Sequence, residues 1–177
     1  SSAMTARTTC GATSGGGVEY VDTNGLPGDG CECQRAIGVT VDEPDIDFGG
    51  ARPGPEAVYV DADCDGLDGD LDDALFVRAG AAAPHLGTLA SPFATLTQAL
   101  GAAGGKRDIL VAGGEYRENI VLVAGVRLHG GYAPDFRRRN IVTFETRIVG
   151  VEPDFSQTSP LPGVVYAAGI TGARTIV

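Results

Sequence analysis

From residue 109 onward the apolar residues come in short groups, and each group runs into glycine. Ile109-Leu110-Val111 precedes Gly113-Gly114, Val126-Arg127-Leu128 precedes Gly130-Gly131, Arg147-Ile148-Val149 precedes Gly150, and Val164-Val165-Tyr166 precedes Gly169. Ile120–Val123 before Gly125 and Thr175-Ile176-Val177 are of the same kind. Groups this short suit strands and are too brief for helices. The groups at 109, 126, 147 and 164 stand 17, 21 and 17 residues apart. A recurrence near twenty residues, made of three-residue strands and glycine corners, is the mark of a β-solenoid. Each coil of a solenoid adds one short strand to a parallel sheet, and stacking buries a continuous core. A β-sandwich would instead repeat its strands at about 8–12 residues with strict alternation, of which Arg127 and His129 show only a trace.

One helix stands before these groups. Ser91 can cap it and Pro92 suits its first turn. Phe93, Leu96 and Leu100 recur on one face with Ala99 beside them, and Gly104-Gly105 ends it. The spacing predicts a helix over about 92–103 that covers the open end of the first coil, because terminal repeats need a cap. Short strands are expected at Val58-Tyr59-Val60 and Leu75-Phe76-Val77, and Arg52-Pro53-Gly54-Pro55 reads as a boundary. Three parts follow: a loop-rich, disulfide-stapled segment 1–56, an aspartate loop 57–73, and capped coils 74–177 that continue in further residues or in another chain.

The charge is concentrated. Residues 42–73 hold twelve acidic side chains against the single base Arg52, so that window carries −11 and the rest of the chain +1, for a net charge of −10. Such a window repels itself unless cations neutralise it. The acidity argues against nucleic acid and anionic membrane surfaces as partners, and no apolar run approaches the ~18 residues of a membrane span. Within the window, Asp61-Ala62-Asp63-Cys64-Asp65-Gly66 matches the first half of the calcium-loop pattern D-x-[DN]-x-[DN]-G-x₅-E. Alternating aspartates place carboxylates on one side of a tight loop, Gly66 permits the turn, and Leu67 offers a carbonyl at the seventh position. The twelfth position is Asp72 rather than Glu, and Asp68, Asp70 and Asp73 are further oxygen donors. The predicted metal ligands are Asp61, Asp63, Asp65, Leu67, Asp70, Asp72 and Asp73, and the predicted ion is Ca²⁺, since Mg²⁺ keeps its waters and copper prefers His and reduced Cys.

The four cysteines are Cys10, Cys31, Cys33 and Cys64. Cys31 and Cys33 are too close to pair with each other without strain. Two connectivities remain, 10–31 with 33–64 or 10–33 with 31–64. A zinc site is disfavoured by the absence of a C-x₂-C pair and of a nearby His. Disulfides imply an oxidising, extracellular or envelope setting.

Several runs resemble a known family. Ala74-Leu75-Phe76-Val77, then Gly87-Thr88 with Ser91-Pro92-Phe93-Ala94-Thr95-Leu96, then Ile109–Glu118, then Gly125-Val126-Arg127-Leu128-His129-Gly130-Gly131-Tyr132 resemble the start of right-handed parallel β-helix (pectin-lyase-like) domains. Asp63–Asp70 resembles the Asp/Cys metal-binding motif that precedes such domains in secreted proteins of myxobacteria and their relatives. The resemblance covers residues 74–150 and fades beyond. It implies an all-β fold, a right-handed parallel β-helix of few coils with an N-terminal capping α-helix. It does not imply one activity, because that family holds polysaccharide lyases and hydrolases, adhesins and surface proteins.

No catalytic residue is assigned. Glu115, Tyr116 and Glu118 share one turn, His129 lies in a coil and Arg137-Arg138-Arg139 follows Pro134. Each reads more simply as a buried tyrosine, solvated glutamates, a stacked or surface histidine and a surface run. The sequence therefore suggests a secreted, calcium-binding, non-catalytic surface module, with other copies of itself or surface polysaccharide as further partners. Two other readings share the fold: a self-assembling filament or surface-layer subunit stacking through open strand edges, and the N-terminal part of a polysaccharide lyase or hydrolase.

Overall fold

The computed structural model describes residues 8–12 (backbone), 17–23, 26, 30–45, 61–152 and 163–167. The strands expected at 58–60 and 175–177, the boundary at 52–55 and the Cys10 side chain lie outside these. The chain divides into two compact units, Ser1–Asp45 with Val58–Asp70, and Ile46–Ala57 with Leu71–Val177.

The first unit is built on an antiparallel sheet of β1 (Thr8–Ala12), β2 (Val18–Asp22) and β3 (Cys33–Ala36), in that order. Val21 of β2 pairs with Cys33 of β3, and Arg35 stands opposite Glu19, whose carboxylate accepts its Nε–H at 2.7 Å. A cross-strand ion pair on one face is a common way to fix sheet register.

The second unit contains β4 (Ala74–Val77), α1 (Leu96–Ala102), β5 (Asp108–Ala112), β6 (Gly114–Arg117), β7 (Ile120–Val121), β8 (Arg127–Tyr132), β9 (Thr146–Val149) and β10 (Val165–Tyr166). Its largest sheet has the parallel order β4-β5-β8. Strands β4 and β5 are buried along their whole length, which is why they read as unbroken apolar runs rather than alternating ones. One face, with Leu75, Val77, Ile109, Val111 and Leu128, joins Leu96, Ala99 and Leu100 of α1 in the main core. The other face carries aromatics. Phe76 meets Phe136 edge-on with centroids 5.0 Å apart, and Arg139 lies over the Tyr132 ring.

The expected all-β right-handed parallel β-helix is not the arrangement of the described residues. Their short strands fall into four small sheets, one antiparallel and three parallel, with one helix, and no solenoid emerges. The even spacing misled because only the first two of the aligned groups, at 109 and 126, lie beside one another. Asp108 pairs with Arg127, but Arg147 pairs with Glu115 and Val165 with Ile120. The groups at 147 and 164 thus leave the first sheet, each to form a two-stranded sheet of its own.

The helix is also shorter than 92–103. Phe93 is extended, donating its N–H to Phe76 O at 2.8 Å and accepting from Arg78 N. Ser91 forms a bridge with Thr88 instead of a cap. Thr95 is the N-cap, its side chain accepting from Gln98 N. Glu118 adds a second cap from a distant turn, its two oxygens each accepting a backbone N–H at 2.8 Å, from Leu96 and Thr97.

Candidate metal centre

The segment 61–70 of the first unit is neither helix nor strand, and its backbone is turned by its own carboxylates. Asp61 accepts from Asp65 N at 2.9 Å through Oδ1 and from Gly66 N at 2.8 Å through Oδ2. Asp63 Oδ1 accepts from Asp65 N at 3.1 Å, and Asp65 Oδ1 accepts from Leu67 N at 2.9 Å. Aspartate makes such local bonds readily, because its short side chain reaches the amide two or more residues on. The turn requires left-handed backbone at Gly66 (φ 85°) and also at Cys64 (φ 63°).

The result is that Asp61, Asp63 and Asp65 each bring a carboxylate oxygen within 4.8 Å of the others. Two oxygens bound to one calcium ion at about 2.3–2.6 Å stand at most ~5 Å apart. The triplet therefore has the size and the hard-oxygen chemistry for a divalent cation. These three of the seven predicted ligands are the ones grouped together. Leu67 is buried, with its N–H on Asp65, and Asp70 is buried nearby in sequence. Asp72 and Asp73 belong to the second unit. There Asp72 O accepts from Lys106 Nζ, and Asp73 forms an ion pair with Arg107.

The loop is fastened to the sheet of its own unit. Cys64, fully buried between Asp63 and Asp65, is disulfide-bonded to Cys33 of β3. Cys31 is disulfide-bonded too. The 33–64 bond belongs to the first of the two connectivities left open by the sequence and rules out the second. Arg35 Nη1 donates to Asp63 O at 2.8 Å while its Nε holds Glu19. Asp68, also buried, accepts from Asp45 N at 2.6 Å.

Asp42 is a neighbour that motif reading missed. It is buried and accepts from Gly69 N at 3.1 Å. Burial pushes its carboxyl up to about 6, the charges of Asp68 and Asp61 push the same way, and bonds from Gly69 and Ala62 only partly oppose them. Its only signal in the sequence was membership of the acidic window. Arg35 had none, because a basic partner for the loop lies a whole strand away.

The second unit holds a separate polar cluster. Asp108, 1% exposed, accepts from Arg127 Nε and Nη2 at 2.6 and 2.7 Å. His129 Nε2 lies 3.0 Å from the same carboxylate, which can only accept, so the Nε2–H tautomer donates. Burial works to raise the Asp108 carboxyl, but the bonds from His129 and Arg127 outweigh it and hold it below its ordinary range. His129 is thus a half-buried partner of Asp108 rather than a surface residue.

The groups with catalytic potential are engaged in structure. Tyr116 is buried, donates to Ala112 O at 2.8 Å, accepts from Ala79 N, and is pushed up to about 12 by burial. Glu115 pairs with Arg117 and Arg147, and Glu118 caps α1. Of the arginine run, Arg137 and Arg138 are exposed but Arg139 is buried, with Nε on Gly130 O. Among the described residues no helix is long and apolar enough to cross a membrane. No protein family, curated protein or solved structure matches the chain, and the chemistry of the loop itself carries the functional reading.

Proposed function

We propose that the protein is a secreted or cell-surface module whose 61–70 loop binds Ca²⁺ in a structural role. The observation that carries this reading is the Asp61–Asp63–Asp65 triplet, three carboxylates turned toward one another by backbone N–H groups within 4.8 Å. Three adjacent negative charges repel, and a divalent cation converts that cost into stabilisation. The buried Asp42 and Asp68 add to the local negative potential. Calcium is favoured over magnesium because the donors are all protein oxygens, whereas magnesium keeps several of its waters. The disulfides support an oxidising compartment, where calcium is abundant and thiols pair.

Calorimetric titration of EDTA-stripped protein tests this. Calcium should bind with a dissociation constant of about 0.1–1 mM, the range of extracellular modules, and magnesium more weakly. Asp61→Asn and Asp63→Asn should each weaken binding about tenfold or more. Absence of any binding heat up to 10-fold above that range would end the reading. The filament and polysaccharide-lyase readings rest on a stack of solenoid coils, which the four small sheets of the described residues do not form.

A further inference from the structure

We propose that Asp68–Gly69 is a self-modification site held closed by Asp42: when the Asp42 carboxylate lets go of the Gly69 N–H, that amide nitrogen closes on the Asp68 side chain and the pair converts to isoaspartate. An aspartate followed by glycine is the pair most open to this reaction, because no Cβ crowds the attacking amide and the glycine backbone turns freely. The loop holds two such pairs, Asp65–Gly66 and Asp68–Gly69. In both, the amide that would attack is donated to a third aspartate. Gly66 N–H goes to Asp61 Oδ2 at 2.8 Å, and Gly69 N–H goes to Asp42 Oδ2 at 3.1 Å. The second pair is the more completely enclosed. Asp68 is 1% exposed and Asp42 is 5% exposed. Gly69 is buried with a φ of 117°, and Asp68 Oδ1 accepts from Asp45 N at 2.6 Å. An amide N–H bonded to a carboxylate gives up its proton reluctantly, since the anion left behind would face a negative charge. Asp42 therefore works against the attack, and the bond from Asp45 restrains the group that would be attacked.

The reaction needs only the chain and water. Local opening frees the Gly69 amide. Its nitrogen then forms a bond to Asp68 Cγ and loses its proton, and one carboxylate oxygen of Asp68 departs as water after taking that proton and another from solvent. Water opens the resulting cyclic imide and returns a proton to solvent. Attack at the former side-chain carbonyl restores aspartate, and attack at the former backbone carbonyl gives isoaspartate. The mass is unchanged, but the backbone now runs through the β-carbon and is longer by a methylene, while the carboxylate sits on the α-carbon. The acceptor that Asp68 offers to Asp45 N is displaced, and an interior packed to protein density does not absorb an inserted methylene without strain. Asp42 thus guards the buried part of the loop against its own sequence. No metal takes part in these steps.

Incubation in EDTA at neutral pH tests the site, with isoaspartate at each position read by electron-transfer fragmentation of proteolytic peptides. Folded wild type should form isoaspartate at Asp68 about tenfold or more slower than the same chain in guanidinium. Asp42→Ala should form it about tenfold or more faster than folded wild type, the worth of a hydrogen bond to a charged acceptor. Asp42→Asn keeps an oxygen for Gly69 N–H and should lie closer to wild type than to Asp42→Ala. Asp65, whose glycine keeps its bond to Asp61, should isomerise no faster in Asp42→Ala than in wild type. Equal rates at Asp68 in folded and denatured wild type overturn the proposal whatever the variants do. An Asp42→Ala rate equal to that of wild type overturns it too, as does an Asp42→Asn rate equal to that of Asp42→Ala. Equal acceleration at Asp65 and Asp68 in Asp42→Ala also overturns it, because the fold rather than one bond would then be the guard.

Discussion

At the scale of single residues, two buried aspartates respond to pH in opposite senses. Asp42 has its folded pKa raised to about 6 from 3.8. A raised carboxyl binds its proton more tightly in the folded state, so its contribution is fully present below about 3.8 and is lost as pH rises through about 6. In EDTA at pH 7, Asp42→Asn should therefore stabilise the protein by about 1–3 kcal/mol, and thermal melts between pH 4 and 7.5 should show a flatter profile for the variant. Equal profiles would show that Asp42 carries no burial penalty. Asp108 is the reverse case. Its folded pKa is lowered, so the stability from Arg127 and His129 is present above 3.8 and is lost as pH falls below it. Asp108→Asn leaves Arg127 partly buried without its charge partner and should cost about 3–5 kcal/mol at neutral pH by urea denaturation. None of this was legible from the chain: Asp108 precedes an apolar run like any strand-edge residue, and only the pairing of β5 with β8 brings Arg127 and His129 to it.

At the scale of elements, the helix illustrates what a local pattern holds and what it omits. Leu96, Ala99 and Leu100 mark the buried face, and all three are buried. The start was misplaced because Phe93 satisfies the same apolar spacing while its backbone pairs with Phe76. Helix α1 spans only Leu96–Ala102, too short to be stable by propensity alone, so its caps matter. Removing the Glu118 carboxylate unpins Leu96 N, Thr97 N and Thr97 Oγ1. Glu118→Ala should cost about 1–2 kcal/mol, and Glu118→Gln less, in the same urea experiment. The glycine corners are equally specific. A Cβ on Gly113 would lie 2.7 Å from the Phe144 carbonyl carbon. Backbone must move to admit it, so Gly113→Ala should destabilise by more than about 1 kcal/mol, and a melt matching wild type would show that this turn yields freely.

At the scale of the whole molecule, the expected property is a stability tied to divalent cations. With calcium at 10–100 times its dissociation constant, linkage adds about 1.4–2.7 kcal/mol, which EDTA removes. Differential scanning calorimetry should show the melting temperature falling on chelation and recovering with calcium, and Asp61→Asn should be indifferent to both. The aspartate triplet was readable in advance because its three carboxylates lie within five consecutive residues, and a turn that short is governed by local hydrogen bonds. The same locality made the strand segments at 75–77, 109–111 and 147–149 visible as apolar runs ending in glycine. Which strand lies beside which was decided in three dimensions. A run of three apolar residues carries no address, so the group at 147 fits the periodicity of the first sheet and yet pairs with β6. The sequence alone determined where the chain turns, where it is apolar and where its charge gathers. Tertiary structure decided the partners, because strand pairing, buried ion pairs and the tether from Cys64 to Cys33 join residues whose separation along the chain leaves no local trace.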